Sequence, residues 1–95
     1  MEWYRFIVRG RVQGVFYRKV VSQSMMKKQF KGFIRNLDDG TVEVVGEIYE
    51  EDFDTFMKIL QEGSPLSSVE AIEYEMIDDA EFHTDGFEIR YKEKR

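Results

Sequence analysis

The sequence predicts an α+β sandwich in which an antiparallel sheet of four or five strands carries two helices on one face. Three observations predict it. Several stretches alternate apolar and polar residues at period two, two others repeat apolar residues at helical spacing, and the two kinds interleave. Their order is strand, helix, strand, strand, helix, strand, with a further short strand at the end. Such an order suits the split βαβ, ferredoxin-like arrangement with right-handed crossovers. A chain of 95 residues holds one core, so a single domain over residues 1–95 is expected.

Each element has its own warrant. In "WYRFIVRG", Tyr4, Phe6 and Val8 fall on one face and Trp3, Arg5, Ile7 and Arg9 on the other, which makes a half-buried strand. A segment bounded by Gly10 and Gly14 follows, too polar and too rich in glycine for a strand or a helix. From Tyr17 to Gln29, Tyr17, Val20, Val21, Ser24 and Met25 recur at helical spacing, with lysines in the last turn, where they suit the helix dipole. "GFIRNL" reads as a strand, "DDG" as a hairpin turn, and "TVEVVGEI" as the partner strand. Phe53, Phe56, Met57 and Leu60 lie at i, i+3, i+4 and i+7, behind an acidic start and ahead of Gly63 and Pro65, so they mark the second helix. "SVEAIEYEMI" alternates again, with Ile72, Tyr74 and Met76 on one face, and "GFEIRYK" closes the chain as a short strand. Phe53, Phe56 and Tyr74 are expected in the core.

Composition excludes several chemistries. The chain has no cysteine, so disulfides, thiolate nucleophiles, Cys-based zinc sites and a C-x-x-C metal chaperone are ruled out. With His83 as the one histidine, a histidine-rich metal site is ruled out too, and His83 itself is read as a surface loop residue. No apolar run approaches the roughly 18 residues of a membrane span, and no signal-peptide pattern is present. A cytoplasmic monomer without membrane or nucleic-acid partners is expected.

The net charge of −5 is unevenly spread. Residues 1–36 hold nine Lys/Arg against Glu2 alone, whereas residues 37–95 hold five against eighteen Asp/Glu. Such a molecule repels long polyanions while its basic third attracts a small anion. Solvated faces of strands and helices account for the same charges equally well.

Two stretches carry the chemistry. "GRVQGVFYR" opens onto a helix, and a helix start offers amides without intrahelical partners at a positive dipole end. Glycines let the backbone curl so that several N–H groups converge on one oxyanion. Arg18 falls in the first turn, and its planar guanidinium can grip two phosphate oxygens at once. An ordinary strand-to-helix connection would also contain these glycines. In "KGFIRNLDDGTVEV", Asn36 shares a strand face with Ile34, where asparagine is disfavoured. It either begins the "NLDDG" turn or orients something polar at the strand end.

Together these stretches resemble the acylphosphatase family, whose pattern is G-R-V-Q-G-V-x-F-R followed by G-x-V-x-N-x-x-D-G-x-V-E. The resemblance spans nearly the whole chain and reaches "GFEIR". Tyr17 replaces the usual Phe and Ile34 the usual Val, "SQSMMKKQF" is an unusual helix end, and "YKEKR" runs past the last family strand. The resemblance implies hydrolysis of acyl phosphates without metal or cofactor, with inorganic phosphate or sulfate as competing anions. It implies that Arg18 binds the phosphate, that Asn36 positions the attacking water, and that Gln13, Gly14, Val15, Phe16 and Tyr17 form the cradle with Arg18. A non-catalytic ligand- or RNA-binding module on the same scaffold is the alternative. "KGF" begins like the K/R-G-F/Y-G/A-F-V-x-F/Y pattern of RNA-recognition strands, but Ile34-Arg35-Asn36 breaks the aromatic spacing and the acidic balance opposes a polyanion.

Overall fold

A computed structural model of the chain describes residues 1–78 and 84–91. Its elements are β1 (Glu2–Arg11), α1 (Tyr17–Lys27), β2 (Lys31–Asn36), β3 (Val42–Ile48), a 3₁₀ turn (Glu50–Asp52), α2 (Phe53–Glu62), β4 (Ser68–Ile77) and β5 (Phe87–Arg90). The strands form one sheet in the order β4-β1-β3-β2-β5. α1 ends two residues before the expected Gln29, which takes a positive φ of 63° where the chain turns into β2.

The expected antiparallel sheet is in fact mixed. β1 pairs antiparallel with β3 and β4, and β2 antiparallel with β3, but β5 runs parallel to β2. Direction alone forces this. β4 runs opposite to β1 and hence opposite to β2, so a strand that returns from the end of β4 travels the same way as β2. With β4 on the outer edge of β1, the outer edge of β2 is where β5 finds hydrogen bonds.

The period-two pattern sorts the side chains as expected. Phe6 and Val8 of β1, Ile34 of β2, and Val42, Val44 and Ile48 of β3 share one core with Tyr17, Val21 and Met25 of α1 and Phe56 and Leu60 of α2. Truncating a buried ring such as Phe56 typically costs about 3–5 kcal/mol. Gly46 faces α2, where a Cβ would lie 2.6 Å from the Phe56 ring, so the helix packs against bare backbone. Phe53 is half-buried. Tyr74 departs from the expectation of a core residue, since β4 is an edge strand and the ring is 55% exposed, although it meets Tyr4 edge-on and Phe53 at a tilt.

On the other face, Glu43 is buried between two arginines, with Arg35 Nε at 2.6 Å and Arg5 Nε at 2.9 Å. A buried carboxylate needs such partners. Arg9 reaches Glu73 at 3.0 Å. Arg5, Arg9 and Arg35, three of the nine basic residues of the N-terminal third, are therefore engaged in cross-strand ion pairs.

Candidate active site

The segment from Val12 to Phe16 links the centre of the sheet to the head of α1. Gly10, read from the sequence as one boundary of this loop, lies inside β1 instead. It forms a bulge against β4, where a Cβ would collide with the Ser68 carbonyl, so its freedom serves strand pairing. Gly14 is the loop glycine proper, at φ 73° with open space around it. Phe16 also takes the left-handed conformation, at φ 62° and ψ 19°, and no side chain caps the helix that begins after it. Val20 donates its N–H to the Phe16 carbonyl at 3.1 Å. The amides ahead of it in the first turn have no intrahelical carbonyl to bond.

The cradle residues divide by where their side chains go. Val15 and Tyr17 are buried in the core. Tyr17, 1% exposed, donates its hydroxyl proton to the Leu60 carbonyl at 2.7 Å, and burial pushes its phenol far above the usual range. Ser64 donates to the Val15 carbonyl at 2.6 Å. Leu60 of α2 and Ser64 of the turn after it thus hold the loop and the head of α1 at two points, and Tyr17 and Val15 contribute backbone, not side chain, to any ligand site. Gly14, Phe16 and Arg18 face outward.

The Gln13 side chain turns from the loop to the neighbouring hairpin. Its side-chain amide nitrogen donates to the carbonyls of Leu37 and Thr41, at 2.9 and 2.8 Å. Those carbonyls flank the β2–β3 turn that follows Asn36. The turn is held in addition by Leu37 N–H on the Thr41 carbonyl, at 2.9 Å, and by Asp39, which accepts from the Thr41 hydroxyl and amide at 2.6 and 3.0 Å. These bonds, that from the hydroxyl above all, hold the Asp39 carboxyl below its ordinary value.

Asn36 ends β2, and its Oδ1 is a buried acceptor with no hydrogen-bond partner among the described residues. Buried polar atoms are nearly always paired, and an unpaired one costs about 1–3 kcal/mol. Asn36 lies one residue beyond Arg35, the last residue of β2 that pairs with β5.

Arg18 lines an open cavity of about 300 Å³ with Gly14, Phe16, Tyr17, Lys19, Ile89 and Tyr91. Its guanidinium carbon lies 5.0 Å from the centre of the Tyr91 ring, a cation–π arrangement, and it has no carboxylate partner among the described residues. The structure thus brings Arg18 together with the loop, and couples the Asn36 hairpin to that loop through Gln13. Asn36 itself is not among the walls of the cavity.

Lys19, Ile89, Tyr91 and Ser64 were not found from sequence. Ile89 and Tyr91 come from the far edge of the sheet, and only the pairing of β5 with β2 brings them to α1. Ser64 sits in a turn whose local pattern says no more than that a helix has ended. His83 lies outside the described residues, and so do Lys92–Arg95 of the terminal extension. Phe33, the aromatic of "KGF", is buried beneath Arg90, 4.0 Å from its ring centre, so it offers no stacking platform to a base.

The family model described as acylphosphatase matches residues 4–89. The chain is 47% identical over 75 residues to an acylphosphatase of Bacillus licheniformis, covering 79% of this chain and 83% of that protein. It is 39% identical over 84 residues to an acylphosphatase of Haloarcula marismortui, covering 88% and 90%. The crystal structure of acylphosphatase from Bacillus subtilis superposes with a TM-score of 0.86 at 38% identity, over 96% of this chain and all of that one.

Proposed function

Because the chain belongs to the acylphosphatase family and is an acyl phosphate hydrolase, we propose that Arg18 and the Gln13–Arg18 loop hold the phosphoryl group while Asn36 positions the attacking water. The observation that carries this reading is the buried, unpartnered Oδ1 of Asn36. An amide does not titrate usefully, so Asn36 is no general base. As an acceptor it takes one water hydrogen and turns the oxygen lone pair towards phosphorus.

The chemistry asks for little more. Phosphoryl transfer depends on positioning and on stabilising charge spread over the equatorial oxygens. The amides at the head of α1 and the Arg18 guanidinium supply both. The water oxygen bonds to phosphorus, the bond from phosphorus to the acyl oxygen breaks, and the water proton passes to a phosphoryl oxygen. The products are a carboxylate and inorganic phosphate. A carboxylate leaves without protonation, so the reaction needs no general acid, and we assign no metal or cofactor to it. The same reading makes the protein a cytoplasmic, single-domain monomer over residues 1–95, with phosphate and sulfate as competing anions and neither nucleic acid nor membrane as partner. No helix among the described residues is long and apolar enough to cross a membrane.

The test is hydrolysis of several acyl phosphates in the presence of a chelator, with phosphate monoesters as controls. Acyl phosphates are expected to turn over and monoesters, whose alkoxides leave poorly, to persist. Loss of activity on chelation, or equal turnover of monoesters, would overturn the assignment.

A further inference from the structure

Glu43 closes the second sequence motif, in which Gly40, Thr41, Val42 and Glu43 match G-x-V-E, and neither the phosphate nor the water assignment uses it. It is buried on the face of the sheet away from the core, and its two oxygens are divided between two strands. Arg35 of β2 donates its Nε–H to one oxygen at 2.6 Å. Arg5 of β1 lies 2.9 Å from the other, as an ion pair without a hydrogen bond. Arg5 also reaches Glu75 of β4, at 3.5 Å. A row of charges thus crosses four strands, from β4 through β1 and β3 to β2, and ends at Arg35. A buried ion pair is often no more stabilising than apolar side chains in its place, so stability is a weak reason for the row.

The row ends beside Asn36. Arg35 pairs with Glu43 across the strands, and the next pair is Asn36 with Val42. Beyond it the chain turns through residues 37–41, whose end carbonyls Gln13 holds. Asn36 therefore lies between two fixed points, the Gln13 bonds on the turn side and the Glu43–Arg35 bond on the strand side. Successive side chains of a strand face opposite ways, so the charged row lies across the sheet from the Asn36 amide and acts on it through backbone alone.

We propose that Glu43 is a positioning residue for the hydrolysis, which through Arg35 sets the end of β2 and hence the direction of the Asn36 amide. The proposal rests on the assignment of the attacking water to Asn36. In-line attack needs the water opposite the leaving acyl oxygen, and a displacement of about 1 Å at such a group can cost about a hundredfold.

The experiment is a double-mutant cycle on benzoyl phosphate turnover. Glu43→Gln and Arg35→Gln are each made in wild type and in Asn36→Ala, at enzyme concentrations that keep the slowest variant measurable. In wild type both should lower kcat by about tenfold or more, while inhibition by inorganic phosphate weakens by a far smaller factor. In Asn36→Ala neither should lower kcat by more than about twofold, because the group they position is gone. The Arg35 side chain is 42% exposed, so its substitution reports even where Glu43→Gln fails to fold. Wild-type kcat in Arg35→Gln, or in a folded Glu43→Gln of lowered melting temperature, confines the row to stability and overturns the proposal. Losses that multiply in the double variants, or phosphate inhibition that weakens as much as kcat falls, place the action of Glu43 elsewhere and overturn it too. In these cases Asn36→Ala alone remains impaired and the water assignment stands. Wild-type turnover in Asn36→Ala would instead remove that assignment, and the positioning role with it.

Discussion

The side-chain amide nitrogen of Gln13 lies 2.8 Å from the carbonyl oxygen of Thr41, and this bond joins the loop ahead of α1 to the hairpin that follows Asn36. The second bond of the same nitrogen, to Leu37, leaves the hairpin little freedom to shift against the loop. If the loop holds the phosphoryl group and Asn36 the water, Gln13 sets the distance between the reacting partners.

Gln13→Glu is therefore expected to damage turnover through the hairpin that the side chain holds. The substitution keeps the length of the side chain but turns a donor facing two carbonyls into an acceptor. Breaking such a pair costs about 1–3 kcal/mol, read as a lower melting temperature. kcat should fall by a larger factor than inhibition by inorganic phosphate weakens. Wild-type kcat in a variant of reduced stability would confine Gln13 to a structural role.

Arg18→Ala and Arg18→Lys should both lose about a hundredfold to a thousandfold in kcat/KM, the usual loss when one charge-stabilising donor is removed. Lysine keeps the charge but not the two-pronged geometry. Steady-state kinetics on any acyl phosphate decide this, and an Arg18→Lys variant of near wild-type activity would refute bidentate binding.

Inorganic phosphate at many times its inhibition constant should raise the melting temperature of wild type, since it binds only the folded form. At about a hundred times that constant the stabilisation is about 2.7 kcal/mol. Arg18→Ala should show little of it. Equal stabilisation of the two proteins would locate the anion elsewhere.

Asn36 and Arg18 should fail differently. Asn36→Ala is expected to lower kcat severely and leave KM and phosphate inhibition close to wild type, because the ground-state contacts survive. Asn36→Asp adds a negative charge beside an anionic substrate, a repulsion of roughly 1–4 kcal/mol at about 4 Å, and should weaken phosphate binding in a salt-dependent way. Full activity in Asn36→Ala would reduce Asn36 to the start of a turn.

Asp39 predicts a small acid effect. Its carboxyl is held below the ordinary value of 3.8, chiefly by the Thr41 hydroxyl. A depressed folded value means that the stabilisation is complete above the unfolded value and fades as pH falls through the folded one. Removing the carboxylate with Asp39→Ala should therefore reduce stability at neutral pH and lose its effect under strong acid. Melting curves across that range check it.

How much was legible in the sequence depends on how local each feature is. Period-two alternation in "WYRFIVRG" and "TVEVVGEI" places Phe6, Val8, Val42 and Val44 in the core because alternate side chains of a strand must face opposite ways. The 3.6-residue period of Phe53, Phe56, Met57 and Leu60 does the same for α2. Asn36 stands out as a residue type that strands disfavour and Arg18 as a guanidinium in the first turn of a helix, and a family resemblance gives both a meaning. All of this follows from neighbours in the chain.

Other features arise between segments far apart. No local pattern says that β5 must run parallel to β2, since its direction follows from where β4 ends. Gln13 reads as a polar loop residue until the hairpin carbonyls come within reach of its amide, 24 and 28 residues away. No local pattern says that the Tyr17 hydroxyl bonds Leu60, 43 residues on. Tyr91 follows the last strand, and only sheet pairing lays its ring against Arg18. The elements, most of their buried faces and the two candidate residues, Arg18 and Asn36, could be read from the order of residues alone. The tertiary structure decided which side chains support them, because hydrogen bonds and ring contacts act over a few ångströms and depend on where the whole sheet puts its edges.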